Sequence, residues 1–260
     1  MNRDLIVIGA GALGARIGAL WRERFPGVRI VAVTKTDRRF ARLLERGFEP
    51  VLAGEAVDPA PFAAFCVPPS GNDDYAARAH RALTYWSGAG AFVMTSSTAV
   101  YPDADGGICR EDSSAVETPR SRELLDAEAP VLAAGGCVVR LAGLYDAERG
   151  PHRVYERMTE SDRRPDGLVN LIHYDDAASL CVAALLAGAR DRIFVGCDDA
   201  PITRADLVRA FASTGAPVCR FTGRDGPLGR RLDNTATRAA LGWSPRYASF
   251  AEWIRQTSGE

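Results

Sequence analysis

The chain has one lysine, almost no net charge and no long apolar run. Lys35 is the only lysine among 32 basic residues, and 33 acidic residues leave a formal net charge of −1. This near-neutral balance argues against nucleic acid or an anionic membrane surface as a partner. Arg, Gly or Pro interrupts the longest apolar runs, and a structural strand is predicted from Leu5, so we expect neither a membrane span nor a signal peptide.

The cysteines lack the spacing of a metal site. No two of the six form a C-x-x-C pair, and they lie at Cys66, Cys109, Cys137, Cys181, Cys197 and Cys219. Scattered cysteines among apolar neighbours are typical of reduced, mostly buried thiols. We therefore expect no metal and a cytoplasmic protein.

The 260 residues do contain a regular alternation of β-branched apolar runs and helical patterns. Strands are predicted at residues 5–8, 30–33, 48–52, 59–67, 91–95, 136–141 and 192–195, with helices at 15–21, 38–46, 76–86, 122–128 and 175–186. We expect the fourth of these helices to stop near Pro130, and Asp175 and Asp176 to cap the fifth. The alternation predicts an α/β fold, a Rossmann doubly wound parallel sheet with helices on both faces.

Two stretches depart from the alternation. Residues 145–167 are polar and rich in arginine, and residues 198–235 combine a helix start capped by Thr203 with Gly- and Arg-rich loops. We expect these stretches to form a small α/β cap for the substrate over the carboxyl edge of the sheet, where open α/β sheets bind ligands. Residues 1–144 and 168–197 would then form the dinucleotide-binding domain, and 236–260 a helix that returns to it.

The first strand runs directly into the glycine pattern G-A-G-A-L-G. Gly9 allows a tight turn, Gly11 leaves the backbone open to a diphosphate, and Gly14 lets the next helix pack on the strand. The N-terminus of that helix, at Ala12 and Leu13, offers free N–H groups and a positive dipole end to phosphate. The pattern predicts a dinucleotide site; the alternative is a tight turn in an α/β domain that binds no ligand.

The end of the second strand indicates which dinucleotide is bound. Proteins that bind NAD usually place an acid there, but this chain has Thr34. Lys35, Arg38 and Arg39 follow and could meet a ribose 2′-phosphate. This pattern favours NADP(H) over NAD(H), although a longer turn could bring Asp37 to the ribose.

Four further segments appear in order along the chain. They read S-S-x-x-V-Y at 96–101, R-x-x-x-x-Y at 140–145 and I-H-x-D-D at 172–176. The fourth, at 231–243, consists of a basic residue, an Asn and the tripeptide L-G-W. Together they resemble the extended short-chain dehydrogenase/reductase family of nucleotide-sugar epimerases and dehydratases. The resemblance implies a bound nicotinamide dinucleotide, with Ser97 on the substrate oxygen; the alternative for Ser97 is a strand-end cap. Further cofactor contacts are expected at Pro68, Pro69, Ser96, Arg140 and Ala142.

The chain departs from this family at its catalytic Tyr–Lys pair. The pair is spaced Y-x-x-x-K, and a chain whose sole lysine is Lys35 cannot contain it. With the segments aligned on Glu128, Arg120 stands at the Tyr position and Leu124 at the Lys position. Arginine stays protonated and is a poor general acid, so the family's usual proton transfer is absent.

Three residues are candidate substitutes for the missing pair. Tyr101 follows Ser97 by four residues, but a packing aromatic is an equal interpretation. His173 could titrate near neutral pH, although a structural histidine before a helix start is favoured. Arg120 could clamp a carboxylate or phosphate, or lie solvated.

The function expected from these residues is an NAD(P)-dependent oxidoreductase or epimerase-like enzyme. Its substrate would be a small polar metabolite, and the arginine-rich cap favours an anionic group weakly. The alternatives are an inactive NADP(H)-binding sensor and a non-redox isomerase or lyase. The sequence leaves open whether the protein forms a homodimer.

Overall fold

The computed structural model of the protein describes residues 2–71 and 74–258. It contains a seven-stranded parallel sheet made of β1 (Leu5–Ile8), β2 (Ile30–Thr34), β3 (Glu49–Leu52), β4 (Phe62–Phe65), β5 (Phe92–Ser97), β6 (Cys137–Leu141) and β7 (Ile193–Gly196). The strands lie in the order β3-β2-β1-β4-β5-β6-β7, so the direction of winding changes between β1 and β4. The predicted doubly wound Rossmann-type sheet is confirmed, and ligands bind at such a change of direction.

The helices follow the strands in the expected alternation. They are α1 (Ala12–Arg24), α2 (Phe40–Glu45), α3 (Tyr75–Ala82), α4 (Pro119–Ala133), α5 (Pro151–Glu156), α6 (Tyr174–Ala187), α7 (Arg204–Ala212), α8 (Thr235–Leu241) and α9 (Phe250–Ser258). β1 pairs with β2 on one side and β4 on the other, and all four of its side chains are buried. A strand covered on both faces needs a continuous apolar run, which explains why β1 does not alternate polar and apolar residues.

The chain forms two compact units. The first comprises Met1–Val100, Glu117–Arg140 and Ala178–Phe194, and the second comprises Tyr101–Val116, Leu141–Ala177 and Val195–Glu260. The second contains four short strand pairs: Gly143–Tyr145 with Leu171–His173, Leu168–Val169 with Ile202–Thr203, Glu160–Ser161 with Arg220–Phe221, and Ile108–Cys109 with Arg231–Leu232. Its core is aromatic, with the ring of Tyr145 5.1 Å from that of Phe250 and 5.2 Å from that of Trp253. No helix in the described ranges is long and apolar enough to cross a membrane.

The prediction that α4 stops near Pro130 is wrong. The helix runs to Ala133 with Pro130 inside it, and it begins with a capping box in which Thr118 and Ser121 bond each other's backbone N–H. Proline removes one hydrogen-bond donor from the last turn. Val131 is fully buried, so packing holds the turn that local propensity would end.

Asp175 and Asp176 lie in the first turn of α6, where the helix dipole favours negative charge, but neither is the residue before the helix. α6 begins at Tyr174, one residue before the pair, and the ring Nδ1 of His173 accepts the Asp175 N–H at 3.2 Å. Asp176 is buried and accepts the N–H groups of Arg246 and Tyr247 at 2.7 and 3.1 Å. This carboxylate therefore fixes the chain before α9.

Candidate functional site

Two of the three motif glycines are required by the fold of the first unit. Gly9 has φ +87°, and a Cβ there would lie 2.8 Å from the backbone nitrogen of Val67. A Cβ on Gly14 would lie 2.6 Å from the Gly9 carbonyl oxygen and 2.8 Å from Val7 Cγ1. Both contacts are too close for any side chain, so these glycines allow the turn and the packing of α1 on β1.

Gly11 is different because the fold leaves room for a side chain. Its φ is −78°, which any residue adopts, and a Cβ would meet nothing closer than Arg39 Nη1 at 3.7 Å. Gly11 therefore keeps open a space that packing does not use. A residue without a side chain, next to the start of a helix, lets a diphosphate approach the backbone closely.

The N-terminus of α1 is prepared for an anion. Gly11 is the N-cap residue and has no side chain to cap the helix, and the first turn has no acidic residue. The N–H groups of Ala12, Leu13 and Gly14 have no partner within the helix, because an α-helix leaves its first donors unpaired. These donors and the helix dipole together favour phosphate.

A cleft of about 1180 Å³ lies above this turn, entirely within the first unit. Gly9–Gly11 and the end of β4, from Cys66 to Pro68, form part of its lining, whereas Pro69 is not among the lining residues described. The residues after β2 line a second part, and α3 and the 3-10 turn after it line a third. Pockets for small ligands measure roughly 300–1,000 Å³, so this cleft has room for a ligand of dinucleotide size.

The lining of the cleft is strongly basic. Among the described lining residues, five cationic side chains accompany one carboxylate, that of Glu55; the five are Lys35, Arg38, Arg39, Arg78 and Arg81. Glu55 accepts the N–H of Leu52 at 3.0 Å. Thr34 also lines the cleft and donates its hydroxyl to the Thr36 carbonyl at 2.8 Å. An excess of one sign of charge in a cleft raises the local concentration of ligands of the other sign.

Ser96 and Arg140, two of the expected cofactor contacts, belong to a buried network. Arg140 donates from Nε and Nη2 to Glu128 Oε2 at 3.2 and 2.7 Å, and the hydroxyl of Ser96 donates to Glu128 Oε1 at 2.5 Å. Glu128 is 1% exposed and Arg140 5%. The network fixes the end of β5 against α4, and the paired carboxylate is not available as a base.

The two other candidate residues of the first unit lie at element ends. Ser97 is the last residue of β5, and its Oγ accepts the Ala99 N–H at 3.2 Å, as in the strand-end cap interpretation. Its hydroxyl still carries a proton that a substrate oxygen could accept. Arg120 lies in the first turn of α4, 47% exposed, with Nη1 3.5 Å from Glu123 Oε2.

The remaining sequence candidates lie in the second unit. Tyr101 is 1% exposed, and its hydroxyl donates to the Glu111 carbonyl at 3.5 Å. His173 is 5% exposed and packs edge-on against Tyr145 and Tyr247 with ring centroids 5.3 and 4.6 Å away. Both side chains are core residues, which favours the structural interpretation of each. The backbone N–H of Ala142 donates to the Gly196 carbonyl at 2.8 Å.

Sequence reasoning did not identify the residues of α3. Arg78 and Arg81 line the cleft, and Tyr75 is buried with a hydroxyl that has no hydrogen-bond partner in the described structure. Burial, helped by the charge of Glu128, raises the pKa of Tyr75, so this phenol does not ionise near neutral pH. The available signal was a pair of arginines spaced i, i+3 in the helix that follows β4, but a helical pattern alone does not show which face of the helix meets a cleft.

Comparisons by sequence and by structure give different results. No protein-family model and no curated protein matches the chain. A conserved protein from Silicibacter pomeroyi is 20% identical over 99% of both chains, with a TM-score of 0.81. MoeE5, solved with UDP-glucose and NAD, is 18% identical over 98% of this chain and 97% of its own, with a TM-score of 0.78.

A third similar structure is the human epimerase family protein SDR39U1, solved with NADPH. It is 15% identical over 99% of both chains, with a TM-score of 0.76. Other matches include UDP-sugar 4-epimerases and a dTDP-glucose 4,6-dehydratase. The chain has the fold of these proteins. The resemblance to extended short-chain dehydrogenases/reductases is thus confirmed in fold, and fold alone does not define the reaction.

Proposed function

We propose that the cleft of the first unit binds a nicotinamide dinucleotide and prefers NADP(H). The observation that carries this proposal is a basic cleft directly above a glycine turn that leaves the first donors of α1 open. The backbone N–H groups of that turn fit the diphosphate, and Lys35 and Arg38 fit a ribose 2′-phosphate. Several similar structures contain NAD and one contains NADPH, so the fold accommodates both.

The double substitution Lys35→Ala and Arg38→Ala tests this preference. We expect the Kd for NADPH to rise about 10- to 100-fold, because hydrogen bonds to a charged group contribute about 1.5–3 kcal/mol. The Kd for NADH should change by less than about threefold, since NADH lacks the 2′-phosphate. Calorimetric titration of both dinucleotides measures the two constants.

The matched control is Arg42→Ala. Arg42 is exposed on α2 and is not among the lining residues of the cleft, so its loss should change neither constant. Wild-type protein that binds NADH more tightly than NADPH would contradict the preference for NADP(H).

The activity that we propose is an oxidoreductase or epimerase-like reaction on a small polar metabolite. A bound nicotinamide supplies hydride transfer. Ser97, at the carboxyl end of β5, donates its hydroxyl to the substrate oxygen, and Glu128 holds that strand end through Ser96. Because the Tyr–Lys pair is absent, the proton needs another donor or acceptor; the sequence offered Tyr101 and His173, and the burial of both side chains favours a structural role for each.

Several arginines of residues 145–167 already have carboxylate partners. Arg149, Arg153 and Arg164 each form an ion pair with a carboxylate close in sequence. Such pairs reduce the positive charge available to a ligand. Arginine content alone therefore does not decide the charge of the substrate, which we propose to be a small polar metabolite.

A dinucleotide sensor without turnover is the second candidate. It is favoured by the hydrogen bonds that already engage Ser97, Tyr101 and His173. For an enzyme, Ser97→Ala should lower turnover by about 100-fold or more, the usual contribution of a positioned proton donor, with NADPH affinity unchanged. NADPH oxidation with a panel of aldehydes and ketones measures a net reduction, and chromatographic detection of an isomerised or dehydrated product from UDP-sugars measures an epimerase-like reaction, which leaves the dinucleotide unchanged overall. A sensor shows neither, and turnover without dinucleotide would indicate a non-redox reaction.

A further inference from the structure

A second group of charges lines the cleft from α3. Arg78 and Arg81 belong to this helix, and Asp74, its N-cap residue, binds both. Arg78 Nε lies 2.6 Å from Asp74 Oδ1, and Arg81 Nη2 lies 2.6 Å from Oδ2. The side chains of Arg78, Arg81 and Asp74 are 31%, 63% and 46% exposed. The cluster therefore presents a net positive charge to the cleft from outside the glycine turn.

These ion pairs are not what holds α3 in place. Pairs this exposed stabilise a protein by about 0–1 kcal/mol. The helix is anchored by Tyr75, Ala79 and Ala82, which are buried. The three charged side chains can consequently exchange partners at low cost.

Each guanidinium retains donors that can reach a ligand. A guanidinium carries five N–H donors in a planar fork, and its bidentate bonds to phosphate are among the strongest charge-assisted contacts. Hydrogen bonds from Arg78 and Arg81 lower the pKa of Asp74 to about 2, so this carboxylate stays ionised at neutral pH. Asp74 and a bound phosphate would then compete for the same two arginines.

We propose that Arg78 and Arg81 form a second phosphate-binding subsite on the α3 side of the cleft, in which Asp74 competes with the ligand. The subsite rests on the proposed dinucleotide function and adds to it a second set of specificity-determining residues. NADP(H) carries phosphate both in its diphosphate and at the ribose 2′ position. The shared chemistry is a phosphate group that displaces the Asp74 carboxylate.

Two variants with opposite expected effects test the subsite. Arg78→Ala with Arg81→Ala should raise the Kd for NADPH about tenfold or more, because two charge-assisted contacts are lost. Asp74→Asn removes the competing charge, keeps a residue suited to the N-cap, and should lower the Kd about threefold. A merely structural cluster would weaken binding in both variants. Titration calorimetry gives the constants, thermal unfolding confirms folding, and Arg42→Ala is the control.

Repeating these titrations with NADH shows which phosphate group of the dinucleotide binds the subsite, the diphosphate or the 2′-phosphate. Equal losses for NADPH and NADH assign the subsite to the diphosphate, and a loss confined to NADPH assigns it to the 2′-phosphate; both results support the subsite. Unchanged affinity in the double arginine variant, or weaker binding by Asp74→Asn, overturns it while the proposed function stands. If the wild-type protein binds neither dinucleotide, the proposed function itself fails.

Discussion

Replacing Glu128 by Gln should lower the free energy of unfolding by about 3–5 kcal/mol. The carboxylate is 1% exposed and accepts hydrogen bonds from Arg140 and Ser96. When Gln replaces Glu128, the guanidinium of Arg140 stays buried without a counter-ion. This costs more free energy than the ion pair itself contributes. Chemical denaturation at neutral pH measures the loss.

Glu123→Gln is the matched control on the same helix. Glu123 is 37% exposed and lies 3.5 Å from Arg120, so its loss should cost less than about 1 kcal/mol. The double variant Glu128→Gln with Arg140→Met removes both charges and should recover most of the stability. A loss below 1 kcal/mol for Glu128→Gln alone would show that the pair is not buried as described.

Replacing Asp198 by Asn should make the protein more stable at alkaline pH. Asp198 is 2% exposed, and its Oδ2 has no hydrogen-bond partner in the described structure. Burial, together with the neighbouring charges of Asp199 and Asp176, raises the pKa of Asp198 to about 8. The folded state therefore prefers a protonated carboxyl, whereas the unfolded chain ionises near pH 4.

The sign of the pH effect follows from this difference. Below pH 4 both states are protonated and the contribution of Asp198 to stability is complete; it is lost as pH rises toward 8. At about 1.4 kcal/mol per pH unit, the wild-type protein should lose roughly 3–4 kcal/mol between pH 5 and pH 8 through this one group. Asp198→Asn cannot ionise, so this part of the slope disappears.

Denaturant unfolding at pH 5, 6.5 and 8 measures the effect. The adjacent Asp199→Asn is the control, because Asp199 is 35% exposed and bonded to Arg238. That variant should retain most of the wild-type slope, because burial, the largest cause of the raised pKa of Asp198, is unchanged and only the smaller contribution of the Asp199 charge is lost. Parallel pH profiles for wild type and Asp198→Asn would contradict the assignment.

The sequence predicted well those elements whose structure depends on residues adjacent along the chain. The strand, glycine turn and helix from Leu5 to Arg24 depend on neighbours along the chain, and the structure has them where the pattern indicated. Pro130 and Asp176 were misjudged because distant packing decides their roles: one lies in a turn held by the buried Val131, and the other binds residues 70 and 71 positions later. Local propensity does not contain such contacts.

Only the part of the site that follows a recognisable sequence motif could be predicted. Lys35 and Arg38 follow a strand that a sequence pattern identifies, and both line the cleft. Arg78 and Arg81 lie on a short helix whose orientation depends on how it packs, so no spacing rule assigns them to a ligand. The burial of Tyr101 and His173 likewise became visible only with the folded core of the second unit.

Titration of NADPH into wild-type protein and into Gly11→Val tests the dinucleotide site most directly. Gly11 has an ordinary φ of −78°, and a Cβ there would make only ordinary contacts, 3.7 Å from Arg39 Nη1 and 3.9 Å from the Gly9 carbonyl oxygen, so valine should leave the fold and thermal unfolding nearly unchanged. Its side chain would occupy the space next to the N-terminus of α1 that a diphosphate needs. Saturable binding by the wild type and none by Gly11→Val is the expected result. Equal affinity in the two proteins, or no binding of NADPH or NADH by the wild type, would contradict it.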